Sequence, residues 1–197
     1  GIGITAHYPL AAIPQRVSSL SYDSYKTLDG TAYLDSYYSP HIATHDNRMA
    51  PYKAAIDWLN EHVEGTPVIL EAYGFSYTDS NIVSAYTGLP TIFGWQGHQW
   101  LWRSKGDDDV YNVWPDLIGP RQLAVAEMYT SDDPHFVREL LSFFEVRYIV
   151  VGGLERTLFP DINEPLLMSM GSEVFREDPV YIIAVDPSLT ANSGVEK

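Results

Sequence analysis

Tyr52, Ala55, Ile56, Leu59 and Val63 recur at three- and four-residue intervals, the spacing that lines one face of an α-helix. Pro51 falls in the first turn, where its missing N–H is no loss, and Gly65 stands just past the end. The period then changes. Pro67-Val68-Ile69-Leu70 is a short unbroken apolar run closing on Glu71-Ala72-Tyr73-Gly74, which predicts a buried strand. A polar loop from Ser76 to Asn81 leads to Ile82–Tyr86, a strand or short helix, and Leu89-Pro90-Thr91-Ile92-Phe93 reads as another strand end. Pro120 opens a helix running to about Tyr129. Asp133-Pro134 caps the next, with Phe136, Leu140, Leu141 and Phe144 expected on its buried face. Arg147-Tyr148-Ile149-Val150-Val151-Gly152 is the clearest strand, and a short helix near Glu164 to Met170 follows. Ser172–Arg176 and Val180–Val185, on either side of Glu177-Asp178-Pro179, form a closing hairpin.

Strands alternating with helices over short links predict an α/β fold: a three-layer sandwich with a largely parallel central sheet and the C-terminal β-hairpin at an edge. Residues 1–50 are rich in Tyr, Ser, Pro and His without a steady period, and read as an extended N-terminal arm with a turn at Asp29-Gly30. Residues 51–187 form the expected domain and 188–197 a polar tail. Ligands of such sheets sit beyond the carboxyl ends of the parallel strands. Here those ends carry Glu71, Trp95 and Gly152-Gly153-Leu154-Glu155.

Composition narrows the function. With 26 acidic against 12 basic residues the net charge is -14, which opposes binding to phosphate backbones, so no nucleic-acid partner is expected. The absence of cysteine excludes disulfides, thiolate nucleophiles and thiolate-held zinc. No apolar run approaches the ~20 residues of a spanning helix. The start, Gly1-Ile2-Gly3-Ile4, lacks both an initiating Met and the charged region of a signal peptide, and reads as part of something longer.

The richest chemistry lies in Gly94-Trp95-Gln96-Gly97-His98-Gln99-Trp100-Leu101-Trp102-Arg103, which holds three of the five tryptophans. Flat apolar faces interleaved with donors and acceptors suit a polar, ring-shaped ligand such as a sugar: indoles cover its faces while His98, Gln99 and Arg103 bind hydroxyls or a phosphate. The same residues equally suit a loop whose tryptophans plug the sheet edge. Glu71 and Asp79 are the candidate catalytic carboxylates, since such pairs divide acid and base roles. A strand-end carboxylate also caps backbone N–H groups or pairs an arginine, with Arg103 or Arg121 the natural partner. His41 and His45 have the spacing of two ligands on one helix face, but Pro40 opposes a helix there and no third ligand is evident, so no metal and no cofactor is expected. Asp107-Asp108-Asp109 lacks the alternation of a calcium loop and reads as a solvated charge run. Gly152-Gly153 is a weak echo of a phosphate cradle, and no Gly-x-Ser-x-Gly elbow is present.

Several segments together resemble one family. Thr27-Leu28-Asp29-Gly30, Ala54-Ala55-Ile56-Asp57-Trp58-Leu59-Asn60, Gly65-Thr66-Pro67-Val68-Ile69-Leu70-Glu71-Ala72, Thr87-Gly88-Leu89-Pro90-Thr91 and Gly94-Trp95-Gln96-Gly97-His98, with Arg147–Gly152 and Glu155-Arg156 later, are similar to the YYY-type multi-pass membrane proteins of bacteria and archaea, distant relatives of the GT-C glycosyltransferases. The resemblance spans about Tyr8 to Val185. It implies a soluble C-terminal domain on the extracytoplasmic side, with Gly1 to Pro14 as the linker from the last membrane helix and the protein's own transmembrane portion as a partner. It also implies a parent that moves a sugar from a polyprenyl-phosphate carrier, with the catalytic carboxylate outside this chain. Glu71, Trp95, His98, Trp102 and Arg103 then fall at the motif positions carried over as contacts to a glycan or polyprenyl-linked sugar. One departure is Gln99, where the family pattern implies an acidic residue. Two other readings compete: a stand-alone hydrolase using Glu71 with Asp79 or His98, and a purely structural cap on the membrane portion.

Overall fold

The computed structural model describes residues 27–43, 46–104 and 113–190. The chain divides into two compact units, 1–33 and 34–197. In the first, Thr31 donates both its backbone N–H and its hydroxyl to Asp29 Oδ1, at 2.8 and 2.7 Å, closing the expected turn at Asp29-Gly30. A single 3-10 turn, Ala32–Asp35, follows.

The second unit carries eight helices and four strands among its described residues: α1 (Ala50–His62), β1 (Val68–Leu70), α2 (Ile82–Thr87), α3 (Gln96–Arg103), α4 (Gly119–Thr130), α5 (Pro134–Phe143), β2 (Val146–Val151), α6 (Gly153–Leu158), α7 (Glu164–Met168), β3 (Gly171–Glu177), β4 (Val180–Val185) and α8 (Pro187–Thr190). A π-helical turn, Trp114–Ile118, leads into α4. The signals that predicted α1 and α5 work as expected. Pro51 sits in the first turn of α1 and Tyr52, Ala55, Ile56 and Leu59 are buried. Asp133 caps α5 by accepting from the N–H groups of His135 and Phe136, at 2.9 and 3.2 Å. The buried stripe of α5 differs in detail. It runs through Val137 and Leu141, leaving Phe136 39% exposed, because Phe136 lies one position off the stripe.

The sheet has the order β1-β2-β4-β3. β1 and β2 pair in parallel, with Leu70 opposite Ile149, while β2–β4 and β4–β3 are antiparallel. The C-terminal hairpin thus forms one edge, as its sequence predicts. The α/β sandwich holds, with parallel pairing confined to β1–β2 and two single bridges, Ile69–Thr91 and Gly74–Trp95. Leu89–Phe93 makes no ladder of its own. Pro90 accepts from Ile69 N at 2.9 Å but has no N–H to continue the pattern.

Helices cover both faces of the sheet. Ile149, Val151, Tyr181, Ile183 and Val185 join Val125, Met128, Tyr129, Val137 and Leu141 of α4 and α5 in one core cluster. Val150 and Ile182 alternate with these to the other face, where α1 packs on β3 and β4. Each such fully buried aliphatic side chain contributes roughly 1.5–3 kcal/mol by leaving water. Leu34, Ile42 and Met49, ahead of α1, are also buried.

Candidate functional site

The tryptophan-rich segment is a helix. Backbone pairing fixes its start: Trp95 bridges Gly74 in parallel, and Gln96 N donates to Gly74 O at 3.0 Å. A Cβ on Gly97 would stand 2.6 Å from Ser76 Oγ, so any larger residue there requires that hydroxyl to turn away. With 3.6 residues per turn, positions 95, 98, 99 and 102 share one face, while Trp100 turns toward the core and packs on it. On the outer face the Trp95 and His98 rings lie 5.1 Å apart, and Tyr77 stands 5.6 Å from Trp95 and 5.4 Å from His98. Trp95 Nε1 donates to Ser80 O at 3.0 Å, which fixes the indole plane. Trp102 is 86% exposed and Tyr77 81%. Tyr77 is the member of this group that sequence reasoning missed. It sits in the left-handed region, φ 65°, inside a polar loop, and nothing local to its sequence marks it.

Arg103 does not reach Glu71. Its Nε donates to Gln99 Oε1 at 2.8 Å, one helical turn back. Arg121 donates to Ile92 O at 3.4 Å, and its guanidinium is held below the usual range by burial and by the nearby charge of Arg103. The expected pairing of Glu71 with either arginine is therefore replaced by two cations near one another at the end of α3.

Glu71 is buried at 2% exposure and caps a helix at a distance. Its two oxygens accept from Val83 N and Ser84 N, both at 3.1 Å, at the start of α2. Glu155, equally buried, accepts from Ala72 N at 2.9 Å and from the Tyr52 hydroxyl at 2.7 Å. Each parallel strand thus delivers a carboxylate into the interior just beyond its carboxyl end. Burial, and then the charge of Glu155, push Glu71 up to about 8. Burial also raises Glu155, opposed by the bonds from Tyr52 and Ala72. Of the sequence alternatives for Glu71, the geometry matches the backbone cap.

Asp79 belongs to a separate surface group. Its Oδ2 lies 2.8 Å from His41 Nδ1 and accepts from Ser39 Oγ at 2.6 Å, with the Tyr37 hydroxyl at 3.3 Å. Glu71 and Asp79 thus share no partner in these bonds: one is engaged by backbone N–H groups of α2, the other by Ser39, Tyr37 and His41. His41 is the residue that Asp79 orients. His45 and Asp107-Asp108-Asp109 lie outside the described residues. Among the described residues no three of His, Asp and Glu gather as a metal-holding group.

The glycine pair after β2 serves packing. A Cβ on Gly152 would meet Tyr52 Cζ at 2.7 Å, and one on Gly153 would meet Asp46 O at 3.1 Å, so both are small because other chain segments lie against them. This replaces the phosphate-cradle reading. A cleft of about 760 Å³ opens at the opposite end of the sheet beside Arg138, Arg147 and Tyr148, and none of the sequence candidates lines it. Among the described residues no helix is long and apolar enough to cross a membrane.

The sequence matches no protein-family model and no curated protein. Among solved structures it is similar to the C-terminal globular domain of oligosaccharyltransferase from Archaeoglobus fulgidus, with a TM-score of 0.40 and 10% identity over 68% of this chain and 96% of that one.

Proposed function

We propose that this chain is an extracytoplasmic domain of a glycosyltransferase-like integral membrane protein, and that it holds a glycan or lipid-linked sugar on the outer face of α3. The observation that carries the reading is the exposed aromatic face itself. Trp102 stands 86% exposed two helical turns beyond Trp95, Tyr77 lies against Trp95, and exposing such rings to water is unfavourable unless a ligand covers them. Sugar rings present flat C–H faces to stack on the indoles and hydroxyls for His98 and Gln99. Arg103, close to Arg121, offers a carrier phosphate a doubly cationic end of the helix. The sequence resemblance to YYY-type membrane proteins supplies the membrane context and the sugar-transfer setting, with chemistry assigned to the parent and binding to this domain. Glu71 supports the site from below by holding α2 in place.

The test is titration of the chain with oligosaccharides, read by tryptophan fluorescence. Binding should be quenched selectively in Trp102→Ala with no change in thermal stability. Failure of every tested glycan and of polyprenyl-phosphate sugars to perturb the indoles would overturn the reading.

A further inference from the structure

We propose that the loop 73–81 and α6 enclose an acetamido subsite, so that the glycan held on α3 is a 2-acetamido sugar; this rests on the sugar-binding reading above. A cavity of about 170 Å³ opens there, walled by Tyr73, Phe75, Leu154 and Leu158. It is smaller than the ~300 Å³ at which pockets begin to enclose a whole small molecule, so it fits a substituent and leaves the ring outside.

His41, Thr78, Ser80 and Thr157 are polar residues on the same cavity, and Thr78 Oγ1 is already engaged, donating to Phe75 O at 2.8 Å; two of the four matter here. Thr157 is one, and its hydroxyl oxygen is shielded from solvent without a hydrogen-bond partner among the described residues. A buried hydroxyl in that state costs free energy that an incoming acceptor would recover, once a χ1 rotation exposes it to the cavity that Thr157 lines. His41 is the other. Its Nδ1 lies 2.8 Å from Asp79 Oδ2 and 3.4 Å from Asp79 N; in the tautomer whose Nδ1–H donates to that carboxylate, Nε2 presents a lone pair. Asp79 is itself fixed by Ser39 Oγ, which donates to Oδ2 at 2.6 Å and so holds the carboxylate beside the imidazole.

The acetamido group has the complementary parts: a methyl for the apolar wall, a carbonyl oxygen for the Thr157 hydroxyl, and an N–H for His41 Nε2. A carboxylate or phosphate fits poorly, because no Arg or Lys is among the lining residues. A plain hydroxyl leaves the apolar wall uncovered. The cavity also adjoins the aromatic face. Gly74 and Ser80 line it, and these same residues accept from Gln96 N and from Trp95 Nε1, at 3.0 Å each. Trp95 is thus hydrogen-bonded to the cavity wall, within reach of a substituent on a sugar stacked beside it.

Chitobiose and cellobiose differ at C2, acetamido in one and hydroxyl in the other, and both are titrated into the 197-residue chain and its variants, followed by NMR shifts of the indole N–H and threonine methyl signals. Chitobiose should bind at least tenfold more tightly, and shift the Thr157 methyl. Thr157→Val, which keeps the shape and removes the hydroxyl, and His41→Phe should each bring chitobiose down to the cellobiose level while leaving cellobiose unchanged. Leu158→Trp, which fills the cavity from its exposed rim, should do the same should either polar variant fold poorly. Equal binding of the two sugars would overturn the acetamido subsite and leave the aromatic face standing. A chitobiose preference that survives all three substitutions would also overturn it. Binding of neither sugar would overturn the acetamido subsite, while the aromatic-face reading falls only if the other glycans and the polyprenyl-phosphate sugars fail too.

Discussion

Tyr52 and Glu155, 103 positions apart, meet in the interior at 2.7 Å, the phenol donating to carboxylate Oε2. The same phenol oxygen accepts from Leu154 N at 2.9 Å, and the other carboxylate oxygen accepts from Ala72 N at 2.9 Å. Three segments are joined here: α1, the end of β1 and the first turn of α6. Tyr52→Phe deletes both roles of the hydroxyl and leaves a buried carboxylate oxygen and a buried N–H short of a partner. The expected loss is about 2–4 kcal/mol, read as a lower denaturation midpoint at unchanged m. A loss below about 0.5 kcal/mol would mean that water or a rearranged side chain replaces the phenol.

Stability should depend on pH through Glu71. Its folded-state value, about 8, lies above the 4.5 of an unperturbed glutamate. Between these values the folded chain keeps a proton that the unfolded chain has released. Stability is therefore undiminished by this group below pH ~4.5, falls as pH rises toward ~8, and levels off above, by on the order of 4 kcal/mol in total. Glu71→Gln carries no titrating proton, so the slope between pH 5 and 8 should flatten relative to the parent chain. Parallel curves for the two proteins over that range would rule the assignment out.

The two site tryptophans should separate binding from folding. Trp102 is 86% exposed, so Trp102→Ala should cost less than about 0.5 kcal/mol of stability and at least tenfold in glycan affinity. Trp95 is tied to Ser80 O and to the rings of Tyr77 and His98. Trp95→Ala should therefore lose binding and also about 1–2 kcal/mol of stability. Thermal melts beside calorimetric titrations decide this; a Trp102→Ala protein that binds normally removes that residue from the site.

Asp79 should prove a positioning residue. Its Oδ2 takes bonds from His41, Ser39 and Tyr37, and burial together with the Asp79 charge raises the Tyr37 phenol. Asp79→Asn keeps the shape but weakens the acceptor. The His41 tautomer, read from long-range proton–nitrogen NMR correlations, should shift from the Nδ1–H form toward a mixture. Amide exchange around 37–42 should quicken. An unchanged tautomer would show that the carboxylate charge does not set it.

Much of this was legible in the sequence. Helical spacing from Tyr52 to Leu59, the Asp133 cap and the β-branched run of β2 are local signals, set by backbone sterics and by which residues leave water. The hairpin β3–β4 was legible for the same reason. Leu89–Phe93 misled, because its composition favours a strand while Pro90 limits it to one bridge. Phe136 misled as well, since its large apolar side chain implied burial at a position just off the stripe.

The site divides along the same line. The sequence alone singled out Trp95–Arg103 as the candidate site, because that mixture of indoles and polar groups is a property of composition at one place. Tertiary structure decided which of those residues share a face, it brought Tyr77 alongside from a loop whose sequence carries no signal, and it set His41 against Asp79 where the sequence had paired it with His45. It also decided the fate of the carboxylates. Glu71 and Glu155 are ordinary acidic residues in a string of letters; their burial, their backbone partners and the raised value of Glu71 exist only once β1, β2 and α2 have packed around them. Hydrogen-bond partners and local dielectric are set by neighbours far along the chain, and a single sequence encodes those only through the fold.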